Sequence, residues 1–406
     1  MADGDPTLGV ATEPDYTTLP DIKHAFDLTE DQRMIQEMVR EFARAELEPI
    51  AAEIDENHRF PMESWRKIVE LGLPGIAFPE KYGGTNSGTL AYSIAVEEIS
   101  RICGSTGLTY AAHVSLGTYP IYRWGAEHLR EQYVTKLIAG DYMGAYGLTE
   151  PGAGSDSGST QTTAVRDGDH YVLNGRKCFI TNATHAGVFV ITAVTDPALG
   201  PKGISAFVVP RDLTGFSLEK GEVKLGMRGS DWASLVFEDA PLPADHLLGP
   251  EGQGFATFMK TLEGGRISIG ALALGIAQGA YDCAIRYAQE RRAFGKTLAR
   301  MQAVQFKLAD MATGIEASRH LIYQAARLKD LGCPYGEEAA MAKLFASEVA
   351  MRVTYDAIQI YGGYGYSREY PVERMWRDAK LCTIGEGTSE IQRLIIARSI
   401  LQEAKI

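Results

Sequence analysis

Apolar residues in this chain change period twice along its length, and no single layer of structure accommodates both periods. From residue 28 to about 142 they recur at helical spacing: Met34, Ile35, Met38, Val39, Phe42 and Ala43 share one face. Thr29 followed by Gln32 forms a capping-box pattern just ahead of that stripe. Between about 145 and 252 the period shortens to two. "HYVLNG", "KCFIT", "GVFVITAV", "GISAFVV" and "ASLVF" are short β-branched and aromatic runs divided by Gly, Asn, Asp and Pro. Asn174-Gly175 between two of them reads as a hairpin turn. From residue 255 the helical period returns in long runs, 255–292, 302–331, 335–361 and 389–402. The pattern predicts an α+β chain: a tail at 1–24, an α-helical domain at 25–144, an antiparallel β-domain at 145–252 and a helical bundle at 253–406.

Composition narrows the function classes. The 406 residues carry a formal net charge of -12, which argues against the broad basic face that nucleic-acid binding needs. Five scattered cysteines and eight histidines show no C-x-x-C, H-x-x-x-H or H-E-x-x-H spacing, so reduced thiols and no metal centre are expected. The N-terminal "MADGDPTLGVATEPDYTTLPD" lacks the apolar core of a signal peptide. The longest apolar run, 187–194, is too short to span a bilayer. These features predict a cytoplasmic chain with no membrane contact.

Several stretches carry polar chemistry. "LTEPGAGSD" at 148–156 offers backbone N–H groups and the Ser155 hydroxyl to a polar or anionic ligand, or is simply a glycine-rich loop. "FGKT" at 294–297 mimics a phosphate loop, but Glu290 stands where the upstream glycine belongs. "YAQERRAFGKTLARMQ" gathers Arg286, Arg291, Arg292, Lys296 and Arg300 at one helix end, as a solvated helix terminus also would. "IYGGYGYSREYPVERMWRD" at 360–378 reads as a tight turn between helices. The run 255–292 holds Gly264, Gly265, Gly270, Gly275 and Gly279, each costing up to ~1 kcal/mol of helix stability relative to Ala. Close approach of another backbone or of a ligand is expected there. In "TIGEGTSEIQR", Glu386 lies between Gly385 and Gly387, ahead of a second capping-box pattern formed by Ser389 and Gln392. A helix start lowers a carboxylate's pKa and burial raises it, so turn residue, helix-start charge and catalytic base all stay open.

Taken in order, the helical first third, "YGLTEPGAGSD", "KCFITN", "ERRAFGK…MQ", "QIYGGYGYSREYPVERMWRDAK" and "IGEGTSEIQRLIIAR" resemble the acyl-CoA dehydrogenase family over nearly everything after residue 25. The resemblance is strongest to short- and branched-chain members; those for branched acyl chains share Gly385 and resemble "LTYAAHVSL" at 108–116. It implies an α-domain, a β-domain and a C-terminal four-helix bundle, with FAD held between the last two. It implies oxidation of a short-to-medium acyl-CoA, with tolerance of branched or bulky acyl groups, to the trans-2-enoyl-CoA, with electrons passed to an electron-transferring flavoprotein. An oxygen-using acyl-CoA oxidase or flavin monooxygenase on the same fold is the alternative, although oxidases usually carry a further C-terminal domain.

Carried over by motif, Tyr146, Leu148, Thr149 and Ser155 would face the flavin or its phosphates, and Phe179, Ile180 and Thr181 would cover the isoalloxazine. Arg291, Phe294 and Gln302 would reach FAD across the interface of a homotetramer, with Gln359, Gly362 and Gly363 on the adenosine side. Thr388, Ser389 and Glu390 would complete the flavin site. Ser155, Glu263, Arg266 and Gly387 would contact the CoA ester, Arg266 toward its adenine end. Glu386 takes the position of the base that removes the α-proton while the β-hydrogen leaves as hydride to flavin N5. Some relatives place that base at the position of Gly265, which here has no side chain to offer. Phe179 stands where most relatives carry Trp, and Gly385 where many straight-chain enzymes carry Tyr.

Overall fold

The computed structural model describes residues 28–403, so the expected tail at 1–24 lies outside the described residues. Helix α1 (Glu30–Phe42) begins at a true capping box: Gln32 N donates to Thr29 Oγ1 at 3.3 Å and Thr29 N to Gln32 Oε1 at 3.0 Å. Seven helices follow: α2 (Ala51–Asn57), α3 (Met62–Glu70), α4 (Gly88–Ser100), α5 (Gly104–Ala112), α6 (Tyr119–Trp124), α7 (Glu127–Leu129) and α8 (Thr135–Ala139). Helices α4 and α5 are buried nearly all round, because α1 and the C-terminal helices enclose them.

Seven strands then form one sheet: β1 (Met143–Gly147), β2 (Thr163–Asp167), β3 (His170–Thr181), β4 (Ala186–Val194), β5 (Ile204–Pro210), β6 (Phe216–Lys220) and β7 (Trp232–Pro243). The order is β1-β4-β2-β3-β7-β6, with β5 on β4. The sheet is antiparallel through β2–β3, β3–β7, β4–β5 and β6–β7, but β1 and β2 both meet β4 in parallel. The expected antiparallel domain therefore also contains two parallel pairings. The long connection from β1 to β4, containing the β2–β3 hairpin, provides the crossover a parallel pair needs.

Asn174-Gly175 is also not a hairpin turn. The β2–β3 turn falls at Gly168 and Asp169, while Asn174 and Gly175 lie inside β3, where the pairing with β7 slips by a bulge. There Asn174 trades hydrogen bonds with Asp239 across the strands, at 2.8 and 3.0 Å. Alternate residues of β4 and β5 serve two cores. Val188, Val190, Ala206 and Val208 pack against the helices, and Phe189, Ile191, Phe207 and Val209 fill the other face.

The C-terminal part comprises α9 (Gly254–Glu290), a small hairpin of β8 (Arg292–Ala293) and β9 (Lys296–Thr297), α10 (Gln302–Asp330), α11 (Gly336–Tyr361), α12 (Val372–Cys382) and α13 (Ser389–Glu403). Helices α9, α10 and α11 pack on one another, α13 on α11, and α12 on both α9 and α11. Helix α12 was expected as part of a turn. Its buried Val372, Met375, Ala379 and Cys382 make a helical stripe, which the Gly- and Tyr-rich residues before it obscure in the sequence. Helix α9 is long and apolar enough to cross a membrane, yet 78% of its most apolar window is buried inside the chain. Its glycines explain how α4 packs so close: β-carbons at Gly275 and Gly279 would collide with the carbonyls of Glu97 and Arg101.

Candidate active site

The bend between α12 and α13 is tied to its flanks. Gly385 N donates to Leu381 O at 2.8 Å, and Ser389 N reaches back to Thr383 O at 3.1 Å. Glu386 within it takes φ = 54°, the left-handed region that costs a non-glycine residue of order 1 kcal/mol. The bend is held from below by Lys343 of α11, whose Nζ donates to Gly387 O at 2.6 Å. Gln392 Nε2 of α13 donates to the same carbonyl at 2.9 Å and to Glu386 O at 3.3 Å. Gln392 therefore does not close a capping box. Thr388 caps α13 instead, its Oγ1 accepting from Ile391 N at 3.3 Å, and the Ser389 hydroxyl is buried without a partner.

This geometry aims the Glu386 side chain at α9. A β-carbon built at Gly265 would lie inside contact distance of Glu386 Oε2, so the missing side chain there is what admits the carboxylate. As a residue Glu386 is partly accessible, but Oε2 is enclosed and has no hydrogen-bond partner. Burial pushes its pKa up to about 7, against the pull of the Lys343 and Arg266 charges. Among the described residues the Glu386 N–H also finds no backbone acceptor. Around the carboxylate lie Arg266 of α9, Tyr146 of β1, Tyr92 of α4 and Lys343 of α11. Behind Gly265, the Ser268 hydroxyl donates to Gly265 O at 2.8 Å and lies 3.3 Å from Ser115 Oγ.

The other expected residues fall into three groups. Tyr146 stacks on Phe258 at 4.2 Å and donates to its carbonyl. Leu148 and Thr149 follow β1, their carbonyls accepting from Lys177 Nζ and Cys178 N, while Ser155 is exposed on the loop beyond. Phe179 breaks out of β3 at φ = 61°, 48% exposed, with its ring 4.9 Å from that of Trp232. Ile180 beside it is buried, and Thr181 pairs with Trp232. Thr388 and Ser389 sit at the bend itself, and Glu390 is exposed at the start of α13. At the far end of α9, Arg291 lies 5.4 Å from the Tyr364 ring and lines a hollow of 510 Å³ with Gly362 and Gly363. Phe294, Gln302 and Gln359 are exposed.

Arg266, expected toward the adenine end of CoA, is buried with an unpartnered Nε, and its charge interacts with Glu263, Glu386, Tyr146 and Tyr335. Sequence reading missed Lys343, Gln392 as a clamp, and Trp232. Lys343 had a signal: it is a lone cation in the apolar "AAMAKLFAS".

Three family models match in succession: the acyl-CoA dehydrogenase N-terminal domain over residues 29–141, the middle domain over 145–240 and the C-terminal domain over 252–401. The chain belongs to the acyl-CoA dehydrogenase family. It is 53% identical to a probable acyl-CoA dehydrogenase, YngJ, of Bacillus subtilis, the match covering 93% of this chain and all of that one. It is 52% identical to the short-chain specific acyl-CoA dehydrogenase of Clostridium acetobutylicum, with the same coverage. Among solved structures, butyryl-CoA dehydrogenase from Megasphaera elsdenii superposes with a TM-score of 0.92 at 43% identity, over 93% of this chain and all of that one. A chain from work on the electron transferring flavoprotein of Acidaminococcus fermentans superposes with a TM-score of 0.92 at 49% identity, with the same coverage.

Like its family, this acyl-CoA dehydrogenase depends on FAD. The residues present fit that cofactor. The buried Ser389 hydroxyl is without a partner, and Phe179 turns out of its strand to leave its ring half exposed beside the loop that follows β1.

Proposed function

We propose that this acyl-CoA dehydrogenase acts on short acyl-CoA thioesters, with Glu386 as the base that takes the α-proton. The observation that carries the reading is the enclosed, unpartnered Glu386 Oε2 lying against the bare backbone of Gly265. A carboxylate with a pKa near 7 both exists as the anion at neutral pH and binds a proton well, the compromise a general base needs. Its own free N–H donates to the thioester oxygen as enolate charge develops, in an enclosed setting where that bond is strong. Tyr146, Leu148, Thr149, Phe179, Ile180, Thr181, Thr388 and Ser389 hold the flavin end of FAD. When bound, FAD supplies the acceptor for the β-hydrogen and its electron pair.

Electrons then pass to an electron-transferring flavoprotein. The short-chain dehydrogenase relatives favour this over the oxygen-using alternative. Arg291, Phe294 and Gln302 serve a neighbouring subunit in a homotetramer. The strongly exposed Phe294, Phe306 and Tyr355 of the bundle suit such a contact.

The acyl pocket is wide at the reacting carbons. The three atoms nearest a β-carbon at Gly385 all belong to Leu381, at 3.6 to 3.8 Å, ordinary contact distance, and the residue does not have a positive φ. Backbone geometry therefore does not demand glycine, and the missing side chain leaves room for branched acyl groups. A panel of straight and branched CoA esters, scored by flavin bleaching, tests the reading. Short esters should bleach fastest, and Gly385→Tyr should lose kcat/KM selectively on branched ones. Preference for long chains, or equal losses on both shapes, would contradict it.

A further inference from the structure

We propose that Lys343 is a positioning residue for Glu386, its buried ammonium holding the Gly387 carbonyl and with it the left-handed bend that aims the carboxylate at Gly265. A lysine with no exposed surface normally needs a carboxylate partner. Among the described residues Lys343 has no ion pair. Its Nζ donates to Gly387 O at 2.6 Å, on the residue directly after the base. Burial lowers its pKa to about 8, and it still carries its proton at neutral pH.

An apolar residue of the same length would cost less to bury here, so the charge needs a reason. Two follow from the geometry. The bend carries a non-glycine residue at positive φ, and two buried donors converge on one carbonyl to hold it, Lys343 from α11 and Gln392 from α13. The Lys343 charge also faces Glu386, where it offsets part of the burial penalty on the carboxylate. Gln392 supplies the hydrogen bond without the charge, which separates the two effects.

The groups facing Glu386 are Arg266 from α9, Tyr146 from β1, Tyr92 from α4, Cys382 from α12 and Lys343 from α11. Those facing Lys343 are Cys382, Glu386, Arg266 and Glu390. Tyr146, Tyr92 and Cys382 are neutral near pH 7, because burial raises each. The two cations alone therefore hold the base below its fully desolvated pKa.

The inference rests on Glu386 being the base, and the test keeps the two apart. Lys343→Gln retains a donor without the charge, Lys343→Met removes both, and Gln392→Met removes the other donor. Each is compared with wild type for FAD content, acyl-CoA binding and the pH profile of kcat/KM. Lys343→Gln should keep FAD and ligand binding while the acidic midpoint rises by about 1 unit. Gln392→Met should lower kcat with the midpoint unmoved. Lys343→Met should lower kcat at least as far as Gln392→Met does, with Lys343→Gln restoring most of it; should Lys343→Met not fold, its loss of folding beside a folded Lys343→Gln reports the same donor. Wild-type kcat in Lys343→Met, an unmoved midpoint in Lys343→Gln, or an equal shift in Gln392→Met would overturn the role of Lys343. Near wild-type turnover by Glu386→Gln, run in parallel, would instead overturn the assignment of the base.

Discussion

Glu386 combines three costs: a left-handed backbone, an enclosed carboxylate and an oxygen with no partner. Structural residues avoid such combinations, whereas catalytic ones are held in them by their surroundings. The raised pKa fixes a sign. In the proposed role the carboxylate must be deprotonated to accept the α-proton, so kcat/KM should fall as pH drops below about 7, approaching tenfold per unit. A profile flat down to pH 5 would contradict this. Gly265 supplies a second prediction. Gly265→Ala places a methyl against Oε2 and should cost about 10²-fold in kcat/KM by displacing the base, with FAD content unchanged. Activity near wild type would show that the carboxylate has room to move. At this scale the sequence identified Glu386 only through its family motif. A flanking glycine pair suggests close approach, but burial, φ and the Lys343 contact depend on α9 and α11, distant in sequence.

Among the elements, the loop after β1 depends on one ion pair. Lys177 Nζ on β3 lies 2.7 Å from Glu150 Oε1, and both residues are buried. Glu150 also accepts from Gln161 N at 2.7 Å and Thr162 N at 3.0 Å, so it pins both ends of the glycine-rich segment. Glu150→Gln strands the Lys177 charge and should destabilise the chain by about 3 kcal/mol, read by denaturant melting, with faster loss of FAD. No change in either would remove the loop's assigned role. Element type was legible wherever the apolar period ran long, as in α9, α10 and α11. It failed where local signals pointed elsewhere. Asn174-Gly175 has turn chemistry but serves a bulge bonded to Asp239, and α12 follows ten residues rich in Gly and Tyr. Neither partner is visible in local sequence.

Over the whole molecule, three segments converge away from Glu386. Arg377 of α12 binds Asp55 of α2 through both guanidinium Nη atoms and Glu373 of its own helix, and donates to Leu225 O of the β6–β7 loop. That junction fixes α12, and α12 sets where the Glu386 bend begins. The order α, β, α was readable from period alone. The mutual placement was not, because it rests on such long-range contacts and on glycine approaches between α4 and α9. At this scale Arg291 makes the prediction: Arg291→Ala should weaken FAD retention and subunit assembly together, measured by flavin content and native mass spectrometry. Full FAD occupancy in a stable monomer would contradict an intersubunit site.

The central claim, that Glu386 is the base, is tested most directly by anaerobic rapid mixing of Glu386→Gln with a short saturated acyl-CoA. Flavin content and ligand binding are confirmed beforehand. The account predicts a variant that keeps FAD and binds the ester but bleaches at least ~10²-fold more slowly than wild type. Bleaching at a rate near wild type would show that another group removes the proton.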